Sequence, residues 1–112
     1  MSELTQKRCV PCEGGVAPLG KPDVDRLLAL VPGWLASGKG ITKEFKFKNF
    51  VAAMRFVNKV ADLAEAEGHH PDIHIHYNRV RFEIWTHAIE GLSENDFILA
   101  AKIDSLHATR TN

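Results

Sequence analysis

The chain is poor in cysteine, carries no net charge and contains no long apolar run. Each shortage excludes something. Two cysteines among 112 residues, Cys9 and Cys12, cannot build a disulfide framework. A structural zinc site normally takes four ligands, so two more would have to come from histidines. A thioredoxin-like pair belongs between a strand and a helix, whereas Pro11 and Glu13-Gly14-Gly15 mark this stretch as loop. Lys plus Arg number 14 and so do Asp plus Glu, leaving no basic excess for gripping a nucleic-acid duplex. Lys43, Lys46 and Lys48 alternate with Phe45 and Phe47, which reads as the solvated face of a strand rather than a phosphate-binding stripe. No stretch approaches the roughly 18 apolar residues of a membrane span, and Met1–Gln6 lacks the apolar run of a signal peptide. The expectation is a cytoplasmic protein with neither membrane nor nucleic acid as partner. There is no Gly-rich phosphate loop, P-loop lysine or nucleophile elbow.

What is present is ordinary for one soluble domain: 45% hydrophobic and 25% charged residues, enough for a single core. Zero net charge does little to keep monomers apart, which favours an oligomer. Residues 1–20 carry Pro11, Gly14, Gly15, Pro18 and Gly20 and read as an irregular arm with little to pack, ahead of one domain over 21–112. A helix is expected over 22–31, opened by Pro22 and stopped by Pro32-Gly33. Trp34-Leu35 begins a strand, residues 37–40 turn, and 41–48 return as a strand with Phe45 and Phe47 inward. Asn49 caps a helix over 50–67, with Phe50, Ala53, Met54, Val57, Val60, Ala61 and Ala64 at helical spacing and Gly68 as terminator. Ile73, Ile75 and Tyr77 then face one way on a strand and His74 and His76 the other. Asn78-Arg79 turns, and a last strand sends Val80, Phe82, Ile84 and Thr86 to one side and Arg81, Glu83, Trp85 and His87 to the other. Ser93 N-caps a helix over 94–106, with Asp96 as its capping-box partner. The order predicts an α+β fold: a four-stranded antiparallel sheet with helices on one face, its other face open with Trp34 and Trp85 available.

Five of the six histidines fall between Glu65 and Asp96. Histidine gives and takes a proton near neutral pH, so such a cluster flanked by carboxylates points to proton-transfer chemistry. His69 and His70 follow the helix terminator and are held by Pro71, which keeps His70 extended. Glu65 lies one turn back, His87 ends the last strand, and Asp96 begins the last helix, so one pocket at the element ends collects all five. His74 and His76 are bystanders on a polar strand face, and His107 lies in the tail. A metal reading on His74, His76, Glu83 and His87 fails on spacing: the gap to Glu83 is too long for the cupin pattern.

An acid four residues before His-His-Pro, then an aromatic, a third His and an Asp, resembles the pterin-4a-carbinolamine dehydratase family. Here the pattern reads Glu65, His69-His70-Pro71, Tyr77, His87 and Asp96, flanked by Pro32-Gly33-Trp34, Phe45-Lys46-Phe47, Trp85-Thr86-His87 and Gly91-Leu92-Ser93-Glu94-Asn95-Asp96. The resemblance spans residues 20–106. It implies a hydro-lyase that converts 4a-hydroxytetrahydrobiopterin to quinonoid dihydropterin and water, in the recycling of tetrahydrobiopterin for aromatic amino acid hydroxylases. It implies neither metal nor organic cofactor, and assembly as a homodimer or homotetramer. His69 and His87 would be the general acid and base, with His70 positioning substrate and Glu65 and Asp96 orienting or tuning the imidazoles. Gly68, His69, His70, Pro71, Trp85, Thr86, His87 and Ala88 would line the pterin edge, and Trp34 would close the pocket. The alternative is a pterin-binding or molybdenum-cofactor-linked relative without this turnover.

Overall fold

The computed structural model describes residues 3–9 and 17–109. Three helices, α1 (Lys21–Leu28), α2 (Phe50–Glu67) and α3 (Glu94–Thr109), accompany four strands, β1 (Leu35–Ser37), β2 (Gly40–Lys46), β3 (Asp72–His76) and β4 (Arg79–Ile84). The strands form one antiparallel sheet in the order β1-β2-β4-β3. The fold predicted from the sequence is the fold observed.

Register decides which side chains go inside. Ile41 stands opposite Ile84 and Phe45 opposite Val80, while Phe82 lies between Lys43 and Ile73. These residues share the face that the helices cover, and Ile41, Phe45, Val80, Phe82 and Ile84 are all buried. The opposite face is polar: His74 and Arg81 converge on Glu83 at 2.7 and 3.1 Å. Burial pushes the Glu83 carboxyl upward, but the hydrogen bonds from His74 and Arg81 outweigh it and hold the group below its usual range.

α2 begins where the Asn49 side chain accepts the Ala52 N–H at 2.9 Å, and it ends at Gly68, whose φ of +67° suits glycine. Its buried face is Ala53, Phe56, Val57, Val60 and Ala64. The stripe expected from the sequence omitted Phe56 and included Phe50 and Ala61, which are exposed. Phe56 lies three residues after Ala53 and four before Val60, so it belongs on that stripe. Its ring meets Phe45, Phe47 and Phe82 with centroids 5.4, 5.3 and 6.0 Å apart.

Other expectations are corrected by contacts distant in sequence. Lys43 does not share a solvated face with Lys46. It has the same parity as Phe45, and its ammonium pairs with Asp104 of α3 at 2.9 Å. Trp34 is not available on the open face: it is buried, and its indole N–H donates to the Asp104 carboxylate at 3.1 Å. The β3–β4 turn is Tyr77-Asn78, one residue earlier than expected. Asn78 Nδ2 donates to the Phe47 carbonyl and the Asn78 carbonyl accepts the Phe47 N–H, at 2.9 and 2.8 Å. Tyr77 therefore sits exposed at φ +54° in the turn rather than beside Ile73 and Ile75. α3 extends beyond residue 106, so His107 is no tail residue; its ring packs on Phe45, Phe47 and Phe56.

The arm is also more than loop where it is described. Glu3–Gln6 forms a 3₁₀ turn against α3, and Leu4 is buried in the core. The Cys9 N–H donates to Glu67 at 2.8 Å, and the Cys9 thiol lies 3.5 Å from the Asn95 carbonyl. Burial, then the nearby Glu67 carboxylate, pushes that thiol up to about 12. Cys9 is thus protonated at neutral pH, the unreactive form. Cys12 lies outside the described residues.

Glu67 also pairs with Lys102 at 2.7 Å, with only 7% of its side chain exposed. Burial acts to raise its carboxyl, but Lys102 and the Cys9 N–H outweigh that and hold it below the ordinary 4.5. A lowered acid adds stability above its unfolded pKa and loses it as pH falls through the folded value. Glu67→Gln is therefore expected to cost roughly 1–3 kcal/mol at pH 7. The gap to wild type should close below the ordinary Glu range. Urea unfolding at pH 7 and pH 3 checks this; an equal gap at both values would contradict it.

Candidate active site

The core-facing row of β4 ends in Thr86, and that parity buries a hydroxyl (3% exposed) which must then find a partner. It donates to Asp96 Oδ2 at 2.9 Å and lies 2.9 Å from the Ser93 hydroxyl. The same Oδ2 accepts the Ser93 backbone N–H at 2.9 Å, the acid half of the expected capping box. The other oxygen, Oδ1, lies 2.6 Å from His69 Nε2. Asp96 is fully buried, and its two oxygens are engaged by a hydroxyl, a backbone amide and an imidazole. A buried carboxylate is tolerated only when engaged in this way. Capping and holding His69 are thus two jobs of one side chain.

His69 is placed by the left-handed Gly68, and its own N–H bonds the Ala64 carbonyl at 3.2 Å. Its side chain is 13% exposed. His70, beyond it, meets Glu65 at 2.6 Å at the solvent-exposed rim. An exposed pair of this kind adds little stability. On the other wall, the chain after β4 is pinched by paired backbone bonds between Thr86 and Gly91, including Thr86 N–H to the Gly91 carbonyl at 2.8 Å. The pinched loop forms a 3₁₀ turn at His87–Ile89. The His87 ring stacks on Trp85, centroids 3.8 Å apart and planes 20° apart. Among the described residues, His87 has no hydrogen-bonding side-chain partner, so both ring nitrogens are open to a bound molecule.

These walls enclose a cleft of about 410 Å³. That lies within the usual range for a small-molecule site, roughly 300–1,000 Å³. Gly68, His69, His70, Pro71, Trp85, Thr86, His87 and Ala88 line it, together with Asp72 and Asn95. The last two were missed from the sequence. Asn95 immediately precedes Asp96, and Asp72 follows Pro71, so adjacency to the motif was the available signal. Trp34 is the one expected lining residue that lies elsewhere. Its partner Asp104 is nine residues along α3 from Asn95, roughly 13 Å at 1.5 Å per residue. Glu65 and Asp96 support the histidines without lining the cleft. Tyr77 lies in the distant hairpin turn, and His74 is engaged by Glu83. Among the described residues, no three His, Cys, Asp or Glu side chains are arranged to hold a metal ion.

Comparison with known proteins agrees with this geometry. The family model described as pterin 4 alpha carbinolamine dehydratase matches residues 17–106. A protein of Halorhodospira halophila, provisionally named pterin-4-alpha-carbinolamine dehydratase, is 52% identical over 107 residues, covering 94% of this chain and 98% of its own. One from Rickettsia canadensis with the same provisional name is 53% identical over 107 residues, with the same coverage. Among solved structures, a transcriptional coactivator/pterin dehydratase from Brucella melitensis superposes with a TM-score of 0.75 at 33% identity, covering 80% of this chain and 97% of its own. With the match taking in both walls of the cleft and all three of its histidines, the chain belongs to the pterin 4 alpha carbinolamine dehydratase family.

Proposed function

We propose that this chain dehydrates 4a-hydroxytetrahydrobiopterin to quinonoid dihydropterin and water by histidine acid–base catalysis. The observation that carries the reading is the buried Asp96 carboxylate, fixed by Thr86 and Ser93, gripping His69 on the wall of a cleft that His70 and His87 also line.

The chemistry asks little of the protein. In the carbinolamine, the N5 lone pair expels the neighbouring 4a hydroxyl and forms the C4a=N5 bond. One proton must reach the departing hydroxyl and one must leave N5, so the reaction is neutral in protons. Asp96 Oδ1 accepts a hydrogen bond from His69 Nε2–H, leaving His69 Nδ1 as the atom that exchanges a proton. His87 has no competing partner among the described residues and forms the other half of the pair. His70, held by Glu65, positions the substrate at the rim, and Trp85 backs the His87 ring by stacking on it. Each proton transfer contributes roughly 10²–10⁴-fold in rate.

The same reading extends to the physiological setting. The product re-enters the recycling of the pterin used by aromatic amino acid hydroxylases, in the cytoplasm. No helix among the described residues is long and apolar enough to cross a membrane. Assembly as a homodimer or homotetramer belongs to the proposal too, consistent with β1 and β3 as open sheet edges carrying exposed Leu35 and Ile75. The test is to generate the carbinolamine in situ with a hydroxylase and follow quinonoid dihydropterin by absorbance. Catalytic amounts of the chain should speed its appearance well above the spontaneous rate. An unchanged rate, with pterin still bound, would instead favour a binding module without turnover.

A further inference from the structure

The N-terminal arm takes no part in the chemistry proposed above, yet both of its described pieces touch the frame of the cleft. On one wall, the Cys9 N–H bonds Glu67, the residue before Gly68, and the Cys9 thiol lies against the Asn95 carbonyl. On the other wall, Pro18 and Leu19 meet the loop that carries His87.

That second contact falls on the closing pair of the loop. Thr86 and Gly91 exchange two backbone hydrogen bonds, 2.8 and 3.4 Å long, and residues 87–90 loop out between them. The Leu19 N–H donates to the Leu92 carbonyl at 2.8 Å, which lays the arm alongside the pair. The Pro18 ring then covers Gly91. A Cβ at Gly91 would lie 2.7 Å from Pro18 Cβ and 2.9 Å from its Cγ, so glycine is what lets the ring come this close to the backbone. Gly91 is buried although Pro18 itself is exposed. Lys39 ties the same loop through Glu90 at 3.1 Å, but that ion pair is exposed and adds little.

We propose that Pro18 and Leu19 are positioning residues for His87, clamping the Thr86–Gly91 pair so that the imidazole stays stacked on Trp85 at the cleft wall. The proposal rests on the acid–base reading above. Thr86 widens the consequence: its hydroxyl holds Asp96, and Asp96 holds His69, so a shift of the closing pair reaches both histidines. A misplacement of about 1 Å at reacting groups costs on the order of 10²-fold in rate.

The test is a cycle of three variants of the full chain: Gly91→Ala, Pro18→Gly and the two together. Stopped-flow decay of the carbinolamine gives kcat and KM separately. Gly91→Ala forces the ring off the loop and is expected to lower kcat by roughly 10–100-fold with little change in KM. Pro18→Gly leaves Gly91 uncovered and should lower kcat by less. In the double variant the new methyl occupies the space the ring has left, and kcat should return to within about threefold of wild type, the non-additivity expected of groups in contact. Thermal unfolding confirms that each variant is folded at the assay temperature. A purely structural contact would move the unfolding midpoint and leave kcat alone. Should Gly91→Ala fail to fold, Pro18→Gly, which only removes exposed atoms, decides by itself. A normal kcat in either single variant, or losses that add in the double variant, overturns the clamp and leaves the acid–base reading standing. A wild type that does not speed the decay contradicts the acid–base reading itself, and the clamp falls with it.

Discussion

Asp96→Asn is expected to lower kcat by roughly 10²–10⁴-fold and to destabilise the chain by about 1–3 kcal/mol. The substitution keeps size and shape but replaces one acceptor oxygen with an NH₂ donor. Both Asp96 oxygens face donors: Oδ2 takes the Ser93 amide and the Thr86 hydroxyl, and Oδ1 takes His69. If the new NH₂ faces Ser93, a backbone N–H at the start of α3 loses its acceptor. If it faces His69, Nε2 must become the acceptor and the proton moves to Nδ1, the nitrogen assigned to catalysis. The loss of rate from a wrong tautomer is known for the serine-protease triad, where the equivalent change costs about 10⁴-fold. Rapid-mixing kinetics and urea unfolding on one preparation separate the two effects. A variant with near-normal kcat would show that the Asp96–His69 contact is structural only. Thr86→Val, which removes one of the donors to the same oxygen, should move kcat in the same direction by less, with Thr86→Ser recovering the rate.

The second large effect is on stability. Phe56→Ala is expected to cost about 3–5 kcal/mol, because it empties the centre of the aromatic cluster. Phe56 is 2% exposed and touches the rings of Phe45, Phe47, Phe82 and His107. Against a total stability of roughly 5–15 kcal/mol for a domain of this kind, that is a large share. Phe50→Ala removes the same side chain from the first turn of the same helix, where it is 47% exposed. It should cost at most about 1 kcal/mol. Equal costs for the two, measured by urea unfolding, would mean that the wrong face of α2 has been assigned to the core.

That pair of phenylalanines shows what the sequence disclosed and what it withheld. The ends of α2 were readable because Asn49 and Gly68 act locally, through a side-chain cap and a left-handed backbone. Spacing from Ala53 admits both Phe50 and Phe56, and the position of the sheet decides that only Phe56 is covered. Distance along the chain explains the other differences. Lys43 and Trp34 are both drawn to Asp104, more than 60 positions away. The β3–β4 turn is shifted by bonds between Asn78 and Phe47, and Leu4 enters the core through contacts with the last helix. In the cleft, the His-His-Pro and Trp-Thr-His motifs with Gly68 and Ala88 were readable, while Asp72, next to the first motif, was passed over. The link from Thr86 through Asp96 to His69 was only half readable: parity put Thr86 inward and the capping box marked Asp96, but nothing local joined them. A second cavity, lined by the β1–β2 turn, needed that turn folded against β4.

The central claim is that two histidines on opposite walls of one cleft move the protons of a metal-free dehydration. It is tested most directly by stopped-flow decay of 4a-hydroxytetrahydrobiopterin, with the wild type and with the double variant His69→Ala, His87→Ala. The account predicts strong acceleration by the wild type, unaltered by a chelator. The folded double variant should decay at the spontaneous rate. Acceleration that persists in the double variant, or that the chelator removes, would contradict it.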